Sequence, residues 1–243
     1  MPLVFFLLYA LYVGFVHAFE PDHLLAVSNI VSRRSRILPA VKDGLFWGLG
    51  HTSTIFLVGV LMVLCQVNIQ REIFSYFEAA VGLMLMIVAV CRIYVFFRDE
   101  RPDTPFHKHE HEHAGENEHV HAHIHFHESH LHKTSYGIGI VHGLAGSGAL
   151  ILLVMTQIPS AAGCLLYLMI FGLGSMIGMA ISAGLFSIPF SRKFLLSGGV
   201  WRAALVLLPT LLCFAYGCYT IYTNLFTEEE ADAISRVFFA GMI

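Results

Sequence analysis

The stretch His17-Ala-Phe-Glu-Pro-Asp-His23 interrupts an apolar run near the start of the chain. No charged residue occurs from Val4 to Val16, and apolar side chains resume at Leu24. Four ionisable side chains therefore lie inside a segment that is long enough to cross a membrane. Such groups are costly in hydrocarbon unless they are paired, hydrated or bound to a ligand, so the cluster predicts a functional site.

Pro21 predicts a break in this helix. On a continuous helix of about 3.6 residues per turn, His17 would point about 140° from Asp22 and about 240° from His23, so the three could not share one ion. Proline has no N–H, so the carbonyl of His17 loses its usual partner and the helix kinks or unwinds. Irregular backbone at membrane depth is tolerated where it is buried or lines a polar cavity. We expect both ends of the stretch to face one site; a structural kink with a His–Asp hydrogen bond is the alternative.

The composition is typical of an integral membrane protein. Of the 243 residues, 56% are hydrophobic and 13% are charged, against about 25% charged in a globular domain. The mean hydropathy is +0.70. A net charge of −3 provides no basic field for nucleic acid. The cysteines form no C-x-x-C pair, so neither a redox pair nor a zinc knuckle is indicated, and no cleavable signal peptide is predicted.

Six stretches have the roughly 20 mainly apolar residues of a spanning helix. The polar segment 98–134 separates a first three-helix half, residues 1–97, from a second half, residues 135–226. Residues 227–243 begin with the capping box Thr-Glu-Glu-Glu, which predicts a surface helix in the tail. The predicted fold is therefore all-α with six transmembrane helices, at 2–31, 44–66, 73–97, 135–157, 161–188 and 200–225.

The positive residues predict the orientation. Twelve of the fourteen Lys and Arg residues follow the first span, flank the long polar segment or lie between the last two spans. Loops rich in Lys and Arg stay in the cytoplasm. Both termini should then be extracytoplasmic and the long loop cytoplasmic.

A short repeat suggests how the halves are related. Gly14-Phe-Val-His17 in the first span matches Gly139-Ile-Val-His142 in the fourth. Three helices separate the two copies, so the second enters the membrane from the opposite side. This pattern predicts a 3+3 inverted repeat with a substrate site near the midplane.

Histidines on three predicted helices lie near one level. At about 1.5 Å per residue, His23, His51 and His142 all lie about 10–12 Å from the loop side. A helix–helix hydrogen bond is the alternative for His51 and His142. The candidate metal ligands are His17, Asp22, His23, His51 and His142, and the candidates for supporting or gating roles are Glu20, Pro21, Thr52, Ser53 and Ser147.

The polar loop holds eleven of the fifteen histidines, alternating with glutamates. Tracts of this composition bind transition metals, and imidazole suits several of them; a solvated pH-responsive linker is the alternative. The candidate loop ligands are His107, His109, His111, His113, His119, His121, His123, His125, His127, His130 and His132.

These motifs resemble those of the nickel/cobalt transporter superfamily. His17-x-x-x-x-Asp22-His23 resembles its signature helix, and Gly50-His51-Thr52-Ser53 resembles its second motif. The segment from Val141 to Ser147, Val-His-Gly-Leu-Ala-Gly-Ser, is similar to the form in its urease-accessory-like membrane proteins. Because the chain has six predicted spans and lacks the acidic third and fourth motifs of the eight-helix permeases, the resemblance implies the six-helix urease-accessory-like or efflux branch.

We therefore predict transport of Ni²⁺, or of Co²⁺, across a bacterial-type cytoplasmic (inner) membrane, with no resident cofactor. Imidazole and carboxylate ligands suit these ions, and the lack of a nearby thiolate argues against Cu(I). Ligation requires neutral imidazole, so affinity should fall with pH. Import and export are both compatible with the sequence.

Other functions remain open at this stage. One alternative is an accessory protein for urease nickel supply or metal sensing that does not transport; another is an exporter of Zn²⁺ or another divalent cation. A membrane oxidoreductase or oxygenase would need clustered His boxes or paired cysteines, so we do not expect an enzyme. Expected partners are the lipid bilayer, transition metal ions, metallochaperones or urease-maturation proteins, and a second copy of the chain.

Overall fold

The computed structural model describes residues 3–34, 36–65, 71–98, 128–145, 154, 158, 160–190 and 199–226. Within these ranges every regular element is a helix. The helices are α1 (Leu3–His17), α2 (Pro21–Val31), α3 (Ile37–Leu64), α4 (Arg71–Arg98), α5 (Glu128–Ala145), α6 (Ala161–Ser187), a 3-10 turn (Ile188–Phe190) and α7 (Gly199–Leu225).

The first apolar run is broken where Pro21 predicts it. The axes of α1 and α2 differ by 59° across the short link between them. The backbone N–H of Glu20 donates to the carbonyl of His17 at 3.1 Å, so the break leaves that carbonyl bonded. Pro21 is the first residue of α2, where a missing N–H removes no helical hydrogen bond.

Four described helices are long and apolar enough to cross a membrane, and the bent pair α1–α2 is a fifth candidate. The predicted fourth span, 135–157, lies only partly within the described residues, since α5 is described as far as Ala145. The predicted tail, 227–243, lies outside them. The four long segments are Ile37–Leu64, Ile73–Arg98, Ala161–Phe190 and Ala203–Leu225.

Two helices begin about two turns earlier than the sequence predicted. α3 begins at Ile37 rather than at residue 44, because the charge of Asp43 in its second turn is paired with Arg34. α5 begins at Glu128, so the last seven residues of the predicted polar segment 98–134 are helical. His51 and His142 are each fourteen residues from the start of their helices, about 21 Å rather than 10–12 Å. They still share one level.

Glycines allow the helices to approach closely. A Cβ added at Gly139 of α5 would lie 2.1 Å from the carbonyl oxygen of Trp47 on α3. On the other side of the bundle, a Cβ at Gly14 of α1 would lie 1.9 Å from the carbonyl oxygen of Phe171 on α6. Neither position can accept a side chain without separating the helices. Contacts of this kind are typical of helix packing in lipid, where small residues replace the hydrophobic driving force.

The bundle is arranged around α3, which packs against both α5 and α6, while α1 packs on α6 and α4 on α7. Large apolar side chains point outward, including Leu57 (59% exposed), Leu83 (52%) and Leu211 (57%). A soluble monomer rarely exposes apolar patches of this extent. This outer surface suits lipid, and it leaves the polar groups inside.

The substitution Gly139→Ala should destabilise the bundle, because the new methyl group would overlap the Trp47 carbonyl. Overpacking of this kind costs about 1–3 kcal/mol, and it can be measured as a lower Tm of the detergent-solubilised protein. Gly137→Ala is the matched control, since no atom lies within 4 Å of a Cβ built there. An equal fall in Tm in both variants would contradict the close contact of α3 and α5.

Candidate metal centre

Five polar side chains meet at the break between α1 and α2. His17 ends α1, Asp22 and His23 begin α2, and His51 and His142 lie within α3 and α5. The ring centroid of His23 lies 4.7 Å from that of His17, 5.1 Å from that of His51 and 4.2 Å from that of His142. His23 is therefore the centre of the cluster, and the cluster contains all five candidate ligands that the sequence predicted within the spans.

Asp22 joins two of the imidazoles. One carboxylate oxygen lies 3.0 Å from Nδ1 of His23, and the other lies 2.9 Å from Nε2 of His142. The first oxygen also accepts the backbone N–H of His23 at 2.9 Å. A buried carboxylate is costly without such partners. The pairing connects α2 with α5, and hence the first part of the chain with the second.

Five buried ring nitrogens of the cluster have no hydrogen-bond partner among the described residues. Leaving a buried donor or acceptor unpaired costs about 1–3 kcal/mol, so binding a ligand at these nitrogens would be favourable. They are Nε2 of His17, Nε2 of His23, both nitrogens of His51 and Nδ1 of His142.

The ligand atoms form two overlapping sets. In the first set, atoms of His17, His23 and His51 all lie within 4.8 Å of one another; in the second, those of Asp22, His23 and His142 do. His23 belongs to both. Imidazole nitrogen with carboxylate oxygen is a donor set for first-row divalent metals. The residues present therefore fit such an ion.

The residues predicted to support or gate the site lie in different environments in the structure. Glu20 is half exposed, and its carboxylate lies 2.9 Å from Nδ1 of His17. Thr52 donates to the carbonyl of Gly172 on α6, and exposed Ser53 donates to Leu49 of its own helix, so neither bonds to the imidazoles. Ser147 lies outside the described residues, as do the tract histidines from His107 to His127.

Two buried residues with unpaired polar atoms were missed by the sequence analysis, and one of them, Trp47, lies at the site. Trp47 is fully buried, its Nε1 has no hydrogen-bond partner among the described residues, and its ring lies 5.5 Å from that of His23 and 5.6 Å from that of His142. Ser175 of α6 is also fully buried, and within the part of the chain that the structure describes its hydroxyl has no partner. One signal was present in the sequence, since Phe171-Gly-Leu-Gly-Ser175 parallels Trp47-Gly-Leu-Gly-His51.

Comparison with known proteins identifies relatives. The chain is 36% identical to the urease accessory protein UreH of Bacillus sp. (strain TB-90) over 179 residues, covering 73% of this chain and 74% of that protein. It is 25% identical over 168 residues to the chloroplast protein FOR GROWTH AND FERTILITY 1 of Arabidopsis thaliana, covering 68% of this chain and 45% of that protein. No solved structure matches the chain.

The family match covers the whole cluster. Residues 3–188 match NicO, the high-affinity nickel-transport protein family, and this range contains all five clustered side chains. The family and its urease accessory relative are transport and accessory proteins rather than enzymes. Together with the apolar helices, the match indicates a multi-pass membrane protein. The chain belongs to the NicO family of high-affinity nickel-transport proteins.

Proposed function

We propose that this protein carries Ni²⁺, with Co²⁺ as a second candidate ion, across the cytoplasmic membrane through the cluster of His17, Asp22, His23, His51 and His142. The observation that supports this proposal most directly is the set of buried ring nitrogens, inside an apolar bundle, that have no hydrogen-bond partner within the described ranges. A divalent ion would satisfy several of these nitrogens together, and the Asp22 carboxylate would offset part of its charge. The ion is the cargo, and we propose no resident cofactor.

The donor set favours nitrogen- and oxygen-seeking ions. Among the described residues no cysteine belongs to either group of ligand atoms, which argues against Cu(I). Imidazole also suits Zn²⁺, so an exporter of Zn²⁺ or another divalent cation is the competing proposal within the transporter class. The family match supports nickel.

The two overlapping sets suggest how an ion moves. An ion held by Asp22, His23 and His142 could pass to His17 and His51 while His23 remains bound, since His23 belongs to both sets and the ligand atoms within each set lie within 4.8 Å of one another. The ligands come from four helices, so a shift of one helix would change the number of ligands. A site that loses ligands on a helix movement can release the ion.

The side chains of the cluster differ in the fraction of their surface that is exposed. The side chains of Asp22 and His17 are 24% and 11% exposed, whereas those of His23 and His142 are 1% exposed. An ion would therefore approach past Asp22 and His17, where the Glu20 carboxylate adds negative charge. Fully buried Trp47 lies against the rings of His23 and His142, the two buried imidazoles, and we assign it the role of closing the buried part of the site.

We also propose that the two halves are an inverted repeat, and the close contacts support this. The Gly14–Phe171 carbonyl contact between α1 and α6 has its counterpart in the Gly139–Trp47 carbonyl contact between α5 and α3. A Cβ at Gly174 would lie 2.1 Å from the carbonyl oxygen of Leu11, and one at Gly50 would lie 2.3 Å from that of Tyr136.

The ring contacts agree with the same correspondence, in which α1 is the counterpart of α5 and α6 is the counterpart of α3. His17 lies 5.3 Å from Phe171, and His142 lies 5.6 Å from Trp47. Under this pairing Ser175 is the counterpart of His51. The first half would then supply four ligands and the second half one. The ligands would thus be distributed asymmetrically between two halves whose helices are related by the repeat.

The repeat agrees with six spans, with residues 1–97 and 135–226 as the halves. The bias of Lys and Arg then favours extracytoplasmic termini and a cytoplasmic His-rich loop. On that side the tract could load an exporter or accept ions from an importer. Metallochaperones, urease-maturation proteins and a second copy of the chain are the partners that we propose.

The second candidate function is an accessory role in nickel supply to urease, or in metal sensing, without transport. It is favoured by the relative's name, urease accessory protein, and by the His-rich tract, which can store ions without moving them. In that case metal handling would depend on the tract rather than on the intramembrane cluster. The two functions therefore differ in which part of the chain is essential.

Binding should depend on Asp22. In a chain that lacks residues 107–127, Asp22→Asn should weaken Ni²⁺ binding by about ten-fold or more, the upper range being about 100-fold, because His23 and His142 lose the carboxylate that orients them. Calorimetry in detergent measures the Kd. Ser28→Ala is the control, since this buried serine of α2 is bonded to Leu25 of its own helix. Equal Kd values in all three chains would rule out the cluster as the site.

Transport should depend on the central histidine. Proteoliposomes that contain His23→Ala should move Ni²⁺ at least about ten-fold more slowly than wild type, since His23 belongs to both sets of ligands. Deletion of residues 107–127 should leave measurable flux. Unchanged flux in His23→Ala would refute the transport site, and loss of all flux on deleting the tract would favour the accessory role.

A further inference from the structure

A cavity of about 400 Å³ lies between α2, α4 and α5, and none of the five clustered side chains lines it. Its α4 wall follows one face of that helix from Ala80 to Arg92, a length of about 18 Å at 1.5 Å per residue. In this wall Leu83 is 52% exposed and Ile87 is 53% exposed. The cavity therefore opens sideways through the apolar outer surface of the bundle, where lipid can reach it.

The part of the cavity far from the loop side is apolar. Its walls are formed by aliphatic and thioether side chains, which are Leu83, Met84 and Ile87 on α4 and Ile138 and Val141 on α5. A water molecule needs two or more polar partners to occupy a cavity, and these side chains offer it none. This part of the cavity suits a hydrocarbon chain.

The end on the loop side, where α4 ends and α5 begins, carries two arginines of the cavity wall. Arg33 follows α2 and is partly exposed, and no described residue forms a hydrogen bond or an ion pair with it. Arg92 donates from Nε to the hydroxyl of Ser32 at 2.6 Å and from Nη2 to the carbonyl of Ser32 at 3.3 Å, which fixes its guanidinium in place. Guanidinium groups are well suited to binding phosphate.

Asp43 of α3 is the one acidic side chain among the described residues of the cavity wall. Arg34 donates to both of its oxygens, at 2.6 Å and 2.9 Å, and Nδ1 of His132 lies 2.6 Å from one of them. Arg34 itself does not line the cavity. Because Arg34 already neutralises the Asp43 carboxylate, Asp43 does not offset the charge of Arg33, and this end of the cavity attracts an anion.

We propose that the cavity binds one anionic phospholipid, with its phosphate at Arg33 and Arg92 and one acyl chain along the apolar wall of α4. Basic pockets between spanning helices recognise anionic headgroups in this way. The bound lipid connects α4 with the loop-side end of α2, the helix that carries Asp22 and His23. The site is separate from the metal cluster, and its occupancy does not depend on the proposed transport function.

Native mass spectrometry of the full-length chain tests this proposal, with dioleoyl phosphatidylglycerol or dioleoyl phosphatidylcholine added to the detergent-solubilised protein. One phosphatidylglycerol should bind with a Kd about five-fold or more below that of phosphatidylcholine. Arg33→Gln should raise the Kd of phosphatidylglycerol by about five-fold or more, the effect of one arginine on an anionic lipid. Arg36→Gln is the matched control, because it removes the same charge from an exposed residue that does not line the cavity.

Two further variants test the two ends of the cavity separately. Arg33→Lys keeps the charge and should bind phosphatidylglycerol more tightly than Arg33→Gln does. Ala80→Phe at the apolar end, where the alanine is exposed, should weaken the binding of both lipids because the ring occupies the space of the acyl chain.

Equal Kd values for the two lipids, or equal effects of Arg33→Gln and Arg36→Gln, would overturn the proposal. A dimer in the same spectra that Ala80→Phe disrupts and that lipid does not displace would identify a second copy of the chain as the occupant, and would also overturn it. These measurements involve neither metal nor transport, so their result is independent of the Ni²⁺ binding and flux experiments.

Discussion

The pairing of Asp22 with two imidazoles is the interaction on which the rest of the structure depends. The carboxylate binds His23, its neighbour on α2, and His142 on α5, more than a hundred residues away. In an apolar bundle these groups stabilise one another, whereas each alone would carry a desolvation cost of several kcal/mol. His17 can join these paired groups only because α2 starts afresh after it, since a continuous helix would direct Asp22 and His23 away from that histidine.

The break at Pro21 and the close contacts at the glycines both bring the side chains of the cluster together. Pro21 starts α2 with a 59° change of direction, which turns His17 and His23 toward each other. Gly139 and Gly143 bring α5 close enough to α3 for His142 and His51 to approach the same point. The ring nitrogens that have no hydrogen-bond partner among the described residues therefore lie close together. Leaving them unpaired costs free energy of folding, which tight packing elsewhere in the bundle must offset. Such a concentration of unpaired groups is what a transient metal site requires, because the ion must bind and must also leave.

Much of this arrangement could be predicted from local sequence. Proline chemistry predicted the break, the cost of ionisable groups in hydrocarbon marked the cluster, and the motifs predicted the family, which the comparisons confirm. Helix rise alone placed His51 and His142 at one level, although α3 and α5 begin earlier than their hydropathy indicated. A turn that contains a charged residue can extend a spanning helix when another residue neutralises that charge, as Arg34 does for Asp43. A hydropathy profile does not show which residues pair, so it could not predict this extension.

The remaining features depend on tertiary register. Trp47 could be read as an ordinary apolar residue, and only the packing of α3 on α5 places its ring against His23 and His142. The correspondence of Ser175 with His51 can be recognised only when α6 is compared with α3. Thr52 and Ser53 follow His51 in the chain, but adjacent residues on a helix face different directions, and their hydroxyls donate to the carbonyls of Gly172 and Leu49.

The nickel K-edge X-ray absorption spectrum of the chain lacking residues 107–127, loaded with one equivalent of Ni²⁺, addresses the coordination chemistry itself. We expect a shell of nitrogen and oxygen, with the outer-shell scattering of at least two imidazoles and no sulfur. That imidazole signal should diminish in the His23→Ala chain, because His23 belongs to both sets of ligands. A spectrum of Ni²⁺ bound to water or sulfur, or one that His23→Ala leaves unchanged, would contradict an intramembrane site built on Asp22 and its histidines.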